Sequence, residues 1–418
     1  MKLIKTSLYS AITTFIRIAS GFIANKIVAI FTGPAGVAVI GQFTNFVAII
    51  LTVSNGAINT GVVKYTAEYE NNELKQKKML STALRISMFC SFFFGFFLFI
   101  WANYFSNLIL KNSIYNNAIR VLGITIIFYS LNNLLISILN GKSEIKKYTI
   151  VNTFGSLVGL IFTVLLVYFC KIEGALYSIV LSQSIVFFIT LFFVIKSNWF
   201  SWSYFKYSFD KTLAKKLGGF SLMALVSVFT APVVQILLRD MVISKIGLDA
   251  AGYWQGMMKV SDGYLLLITT ALSTYYLPKL SSLKEDKDLR NEILYGYKII
   301  MPVVFISCLL IYFSRLFIIK LLYTNSFVEM EQLFLYQLIG DFFKIAAWLI
   351  SYLMLAKAMT KLFIITEIVF SLTYLIFGYI CVDVFGLIGL TIAFVINYFI
   401  YFIFMLSYFR KLIFYKNE

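Results

Sequence analysis

Nine ionisable side chains lie inside apolar stretches that are long enough to cross a bilayer. They are Arg17, Lys26, Arg239, Asp240, Lys259, Asp262, Asp341, Lys344 and Glu367. A charge at the bilayer centre costs about 2.5–3.5 kcal/mol even on a lenient insertion scale, so such residues face water or one another. We therefore interpret these side chains as the lining of a polar path through an apolar protein.

Uncharged polar residues recur at helical spacing in the same stretches. One set follows steps of three and four, which predicts a single helix face: Gly41, Asn45, Ala48, Thr52, Asn55 and Asn59. Adding 214 to each number gives a second polar face: Gln255, Lys259, Asp262, Leu266, Thr269 and Ser273. Two further stripes are Thr14, Arg17, Gly21 and Asn25, and Gln337, Asp341, Lys344 and Ser351. The alternative interpretation is close packing, because small and polar residues also hold transmembrane helices together.

Two of the charged groups have an opposite charge at the i+3 position of the same helix. These pairs are Lys259 with Asp262 and Asp341 with Lys344. Each pair could be a self-neutralising ion pair with no further role. Arg17 and Lys26 have no acidic neighbour on their own stretch, and Glu367 has no basic residue within a turn, so a functional role is favoured for these three.

The elements that position these residues are apolar runs of bilayer length. We predict an all-α membrane protein with twelve spans at about 7–31, 37–60, 82–106, 118–140, 148–170, 175–195, 217–243, 250–277, 297–321, 332–356, 361–381 and 387–409. With the N-terminus inside, the inward segments hold 25 of the 36 basic residues and the outward loops hold three. This asymmetry predicts that both termini are cytoplasmic.

Composition excludes several classes of function. Histidine is absent, and the four cysteines contain no CxxC pair, so we predict no metal and no cofactor. No glycine-rich loop followed by Lys-Ser/Thr occurs, which argues against ATP hydrolysis by this chain. The outward loops are too short for a catalytic domain, so we predict that the protein is not an enzyme. Most of the basic residues behind the net charge of +17 lie on the inward segments. This placement predicts contact with anionic lipid and not with nucleic acid.

The twelve predicted helices divide into two sets of six at the basic loop 196–216. We predict an N-terminal six-helix lobe at 1–205 and a C-terminal six-helix lobe at 206–418. Because six is even, the two lobes share one orientation and are related by an axis along the membrane normal. The polar stripes are expected to line one cavity.

Several segments resemble a known transporter family. They are GPAGVAVIGQF at 33–43, GVVKYTAEY at 61–69, FSLMALVSVFTAP at 220–232, GYWQGMMKVSDGYL at 252–265, YYLPKLSSL at 275–283 and LFLYQLIGDFFKIAAWLISYLMLAKA at 333–358. In these stretches the chain resembles Wzx-type O-antigen flippases of the multidrug/oligosaccharidyl-lipid/polysaccharide (MOP) superfamily. Within that family it is similar to the branch that carries the lipid III of the enterobacterial common antigen.

The resemblance implies alternating access of a central cavity between two lobes in the bacterial inner membrane. The expected cargo is an undecaprenyl-pyrophosphate-linked oligosaccharide, such as an O-antigen repeat unit, moved from the cytoplasmic to the periplasmic leaflet. Other polysaccharide assembly proteins, a polymerase and a chain-length regulator, are possible partners. The competing interpretation is an ion-coupled small-molecule or drug antiporter of the same superfamily.

Site residues follow from the chemistry of that cargo. Cations suit a pyrophosphate, and amides suit sugar hydroxyls. The predicted substrate-binding residues are therefore Arg17, Lys26, Asn25, Asn45, Asn55, Asn59, Arg239, Gln255, Lys259, Gln337 and Lys344. With neither histidine nor an ATP site, a carboxylate is the expected ion carrier, and the candidates are Glu367, Asp262 and Asp341.

The predicted topology can be tested with single cysteines in a cysteine-free background. We expect a cysteine at Asn325 to react with a membrane-impermeant maleimide added outside, because 325 lies in an outward loop. A cysteine at Asn198 should be labelled only after the membrane is permeabilised. The reverse labelling pattern would discard the orientation.

Overall fold

The structure is a computed structural model that describes residues 2–414, with the side chains of residues 2–12, 223 and 274 left out of the description. Every regular element in this range is helical. The helices are α1 (Lys2–Ser54), α2 (Asn59–Glu68), α3 (Glu73–Ile100), α4 (Ala102–Leu110), α5 (Asn116–Gly141), α6 (Ile145–Ile195), α7 (Lys211–Lys245), α8 (Leu248–Ala271), α9 (Leu277–Ser282), α10 (Asp286–Phe313), α11 (Arg315–Leu322), α12 (Phe334–Ala356), α13 (Thr360–Phe385), α14 (Ile388–Tyr408) and α15 (Arg410–Phe414). A π-helical turn, Leu272–Tyr276, joins α8 to α9.

Nine of the helical segments in this part of the chain are long and apolar enough to cross a membrane. They begin with Thr13–Ser54 of α1 and include α3, Ser113–Gly141, α6, α7, α10, Asn325–Ala356, α13 and α14. The prediction of an all-α membrane protein is confirmed at this level. Two of the nine contain a backbone break, at Gly33 (φ 63°) in α1 and at Lys171 (φ 50°) in α6. Both breaks fall inside connections predicted from the sequence, 32–36 and 171–174.

The chain forms two compact units. The first comprises Met1–Thr32 and Val39–Ile236, and the second comprises Gly33–Ala38 and Leu237–Glu418. In the first unit, buried apolar residues form two clusters, one built around α2, α3 and α5 and one around α1, α5 and α6. In the second unit, the largest cluster joins α10, α12 and α14. Helix α7 contributes residues to both units, since the division falls between Ile236 and Leu237.

One prediction about the first unit is wrong. The polar face Gly41–Asn59 was expected on a single helix, but α1 ends at Ser54 and α2 begins at Asn59. The Asn55 side chain accepts a hydrogen bond from the Ala57 N–H at 3.0 Å, and Gly56 and Ala57 have positive φ. An asparagine that bonds its own backbone competes with the helix, and the glycine after it permits the left-handed turn. Asn55 and Asn59 are therefore not on the face that carries Asn45.

Close approach of two glycines brings α3 and α5 together in the first unit. A Cβ on Gly123 would lie 2.7 Å from the carbonyl oxygen of Gly95, and a Cβ on Gly95 would lie 2.5 Å from that of Gly123. Backbones pack this closely in membranes only where small residues meet.

We expect Gly123→Ala to lower the melting temperature of the purified protein by roughly 2–10 °C, because the added methyl overpacks the helix crossing. The matched control is Gly218→Ala on α7, where a Cβ meets no atom within 4 Å. That variant should be neutral or slightly stabilising, because alanine favours a helix over glycine. Equal melting temperatures for the two variants would contradict the crossing.

Candidate functional site

The first half of α1 presents positive charge on the first unit. The Arg17 side chain is exposed, and Lys26 is half-buried and makes a polar or electrostatic contact of its own. The space next to Gly21, between them on the helix, is open, since a Cβ there would meet no atom within 4 Å. The chain holds no acidic residue before Glu68. Arg17 and Lys26 are nine residues apart and therefore point to opposite sides of the helix. Arg17 can attract an anion without competition from a carboxylate on the same helix.

Two of the predicted site amides of the first unit have a buried polar atom with no hydrogen-bond partner among the described residues. They are Asn25, through Nδ2, and Asn59, through Oδ1. A buried amide atom without a partner is costly, and water or a ligand hydroxyl commonly satisfies it. Asn25 lies about two turns along α1 from Arg17, and its Nδ2 can donate to a ligand oxygen.

The other predicted amides of the first unit take part in its packing. Asn45 donates from Nδ2 to Oε1 of Gln235 at 3.0 Å, which ties the second half of α1 to α7. Gln42 makes a parallel link by donating to the Ile236 carbonyl at 3.3 Å. Asn55 caps the turn described above. A role of Asn45 or Asn55 in sugar binding stays a prediction.

In the second unit, Asp341 on α12 is completely buried and well bonded. Its Oδ2 accepts hydrogen bonds from Ser261 Oγ at 2.6 Å and from Tyr264 OH at 2.8 Å, both on α8. Its Oδ1 accepts a longer bond, 3.3 Å, from Gln337 Nε2. The sequence left open an ion pair between this carboxylate and Lys344. In the structure, the hydrogen-bond donors are two residues of α8 and Gln337.

Lys344 is held by aromatic rings. Its Nζ lies 5.0 Å from the ring centre of Trp348, 5.7 Å from that of Tyr398 and 5.8 Å from that of Phe394. An ammonium ion is attracted to ring faces at this range, most strongly where water is scarce. Lys344 thus stays half-buried on α12 between elements of the second unit.

Asp341, Asp262 and Glu367, the three carboxylates predicted for ion coupling, each act electrostatically on the Tyr398 hydroxyl, whose ring Lys344 also contacts. They differ in environment, since Asp341 is buried and Asp262 is exposed. Among the described residues, no group of three or more Asp, Glu, Cys or His side chains is placed to hold a metal ion. A role of these carboxylates in ion coupling stays a prediction.

The remaining predicted residues of the second unit divide into a buried and an exposed group. Arg239 is completely buried, donates to Gln255 Oε1 and stacks over the Trp254 ring, which indicates a structural role. Lys259 and Asp262 are exposed on the surface of the unit, and neither belongs to an ion pair within 4.0 Å in the described part of the chain. Exposed charges in the middle of an otherwise apolar helix favour a water-facing surface.

Sequence reasoning missed Ser261, Tyr264 and Tyr398. Ser261 and Tyr264 lie next to the predicted polar face of α8 and not on it, so the periodicity passed over them. The available signal was the tyrosine itself, because a tyrosine in the middle of a membrane helix needs a partner for its hydroxyl. Tyr398 is one of several aromatic residues of α14 and has no distinguishing spacing.

Comparisons with known proteins agree over nearly the whole chain. The profile of a family described as polysaccharide biosynthesis protein matches residues 9–332. The chain is 30% identical over 402 residues to the lipid III flippases of Escherichia coli K12 and Shigella flexneri, which covers 96% of this chain and 97% of each relative.

Solved structures show a shared fold. An inward-facing multidrug resistance transporter of the MATE family superposes with a TM-score of 0.78 at 15% identity, covering 96% of this chain and 98% of the other. A MOP superfamily transporter from Pyrococcus furiosus gives a TM-score of 0.74 at 15% identity, covering 98% of this chain and 96% of the other.

Proposed function

The chain belongs to the polysaccharide biosynthesis protein family, among the Wzx-type flippases of the MOP superfamily, and we propose that it carries an undecaprenyl-pyrophosphate-linked oligosaccharide from the cytoplasmic to the periplasmic leaflet. The observation that carries the proposal is the similarity to lipid III flippases along the whole chain, and the exposed Arg17 of α1 supports it. No reported relative is an enzyme by name, in agreement with the prediction that this chain is not one.

The proposed architecture has twelve spans in two lobes. Helices α1 and α6 contain 53 and 51 residues, so each would be about 75 Å long if straight, more than twice the thickness of a bilayer core. Division at Gly33 and Lys171 turns the nine candidates into eleven spans. Helix α8 has 24 residues, enough to cross, and its charged residues explain its absence from the apolar candidates. It supplies the twelfth span, and both termini are proposed to be cytoplasmic in the bacterial inner membrane.

Different residues would bind the pyrophosphate and the sugars of the headgroup. The Arg17 guanidinium presents several donors in one plane and suits bidentate binding of a pyrophosphate, with Lys26 in support. Asn25 and Asn59 have buried amide atoms that can bond sugar hydroxyls. The polyprenyl chain can stay in the lipid while the headgroup crosses. Polymerase and chain-length proteins stay predicted partners.

The second unit would supply the coupling to an ion gradient. Asp341, Asp262 and Glu367 each act electrostatically on Tyr398, so a proton taken up by any of them would change the field at the same side chain. Asp341 also has fixed hydrogen-bond donors, so a change in its protonation would alter the contacts between α8 and α12. Such a change would move α8 and α12 against each other. This movement would be a physical route from ion binding to alternating access.

Transport of a small cationic molecule is the second candidate function. The carboxylates of the second unit favour it, because they attract cations. The MATE transporters share the fold of this chain. Identity with these structures is 15%, which speaks for the fold alone, whereas identity with the lipid III flippases is 30%. Restored surface glycan on expression in a flippase-deletion strain, with unchanged resistance to cationic drugs, would distinguish the flippase from the antiporter.

Arg17→Ala should abolish surface glycan while the protein remains in the membrane at near-normal level, because the phosphate-binding group is lost. Arg17→Lys should rescue only in part, since a point charge replaces the planar fork. Arg120→Ala removes another exposed arginine of the same unit and is the matched control. The measurement is surface glycan by immunoblot, normalised to membrane protein. Full glycan in the Arg17→Ala strain would end the assignment.

Ion coupling predicts that an imposed proton or sodium gradient accelerates translocation in proteoliposomes. Glu367→Gln and Asp341→Asn should make the rate insensitive to the gradient, because neither amide can exchange a proton or hold a cation by charge. Asp249→Asn, at the exposed start of α8, should respond like the wild type. A wild-type rate that ignores both gradients would refute coupling, and a normal response of both test variants would refute these carriers.

A further inference from the structure

Four lysines and three tyrosines form a continuous set of contacts on the first unit that the proposed transport cycle does not use. We call it the lysine–tyrosine surface and define it by Lys64, Lys77, Lys142, Lys216, Tyr65, Tyr69 and Tyr204. Its residues come from α2, α3, α7, the end of α5 and the segment between α6 and α7. All these segments belong to the first unit.

One lysine pair shares the ring of Tyr65. Lys64 Nζ lies 5.3 Å and Lys216 Nζ lies 6.0 Å from the ring centre. Tyr65 stacks on Tyr69 at 5.6 Å between ring centres, and Lys216 donates a hydrogen bond to the Tyr69 hydroxyl at 3.3 Å. Neither lysine belongs to an ion pair within 4.0 Å in the part of the chain that the structure describes.

The second pair shares the ring of Tyr204. Lys77 Nζ lies 5.4 Å and Lys142 Nζ lies 5.5 Å from its centre. Lys142 donates to Gln76 Oε1 at 2.6 Å, and Gln76 in turn donates to the Thr66 carbonyl at 2.8 Å, which connects this pair to α2. A single carboxylate, Glu73, pairs with Lys77 at 2.6 Å.

This arrangement concentrates positive charge at fixed positions. Two ammonium groups that share one ring repel each other, and the negative faces of the rings offset only part of that repulsion. Burial lowers the pKa of Lys142, and the charges of Glu70 and Glu73 oppose this effect. Glu73 already pairs with Lys77, and Glu68 acts on Lys216 from a longer distance. An added anion would therefore relieve the most repulsion at Lys64 and Lys216, which have no carboxylate within 4.0 Å in the described part of the chain.

The surroundings of the surface suit an interface between water and lipid. Trp202 is 58% exposed and Phe209 is 44% exposed, and both lie in the segment that carries Tyr204. Exposed aromatic residues beside lysines are typical of the headgroup region of a membrane. A water-soluble partner would leave these rings in water, whereas a lipid covers the rings and neutralises the lysines together.

We propose that the lysine–tyrosine surface binds the phosphate groups of anionic phospholipids in the adjacent leaflet. Lys64 and Lys216 accommodate one phosphate between them, with the acyl chains beside the exposed aromatic residues. Lysine near a charged leaflet contributes about fivefold in affinity per residue. The binding is independent of the cargo and holds whether or not the protein is a flippase.

The test uses the full-length protein in nanodiscs of phosphatidylcholine with about one-third phosphatidylglycerol, followed by native mass spectrometry of the lipids retained. We expect Lys64→Gln/Lys216→Gln to lower the retention of phosphatidylglycerol at least about fivefold. Lys64→Arg/Lys216→Arg should retain it, since charge is preserved. The control Lys298→Gln/Lys361→Gln removes two exposed lysines of the second unit and should match the wild type.

Melting temperatures of all variants verify that the surface is intact, and the arginine variant keeps the test valid if the glutamine variant unfolds. Equal loss of phosphatidylglycerol from the test and control variants would overturn the proposal. So would a wild type that retains no more phosphatidylglycerol than phosphatidylcholine. Selective retention of added undecaprenyl pyrophosphate without phosphatidylglycerol would also overturn it and would assign the surface to the cargo.

Discussion

The cost of an uncompensated charge in hydrocarbon governs the arrangement of this protein. Every ionisable group in an apolar helix has to be bonded, shielded by rings or exposed to water. Asp341 is buried with three hydrogen-bond donors, Lys344 lies among three rings, and Arg239 is buried against Gln255 and Trp254. Arg17 and Lys259 are instead exposed on their units.

The two units also differ in the charged residues that their membrane helices carry. The first 67 residues carry no carboxylate, and the membrane helix α1 contributes only cations. The second unit holds the carboxylates Asp341, Asp262 and Glu367 together with the cations Arg239, Lys259 and Lys344. The proposed binding of a pyrophosphate at Arg17 and of a coupling ion at these carboxylates would use different units, so the two ligands would not compete for the same groups.

Hydropathy predicted the positions of the apolar helices, because the thickness of the bilayer sets their length. Glycine or a short polar loop marks where they end. The breaks at Gly33 and Lys171 fall in predicted connections for this reason. Periodicity failed at Asn55, because a side chain that bonds its own backbone ended the helix inside an apolar run. It left open whether Asp341 pairs with Lys344, and the structure bonds this carboxylate to donors on α8 and to Gln337. Contacts between helices are set by packing, and a single sequence does not record packing.

The lysine–tyrosine surface shows the same limit. Its lysines were visible in the sequence as topology signals, but their pairing depends on five segments that meet only in the folded unit. Lysine suits the ligand that we propose for this surface. A phospholipid headgroup is mobile and exchanges with its neighbours, so it suits a flexible point charge, whereas a fixed pyrophosphate suits the planar fork of arginine. The proposed roles of Arg17 and of these lysines thus assign phosphate ligands of different mobility to different cations.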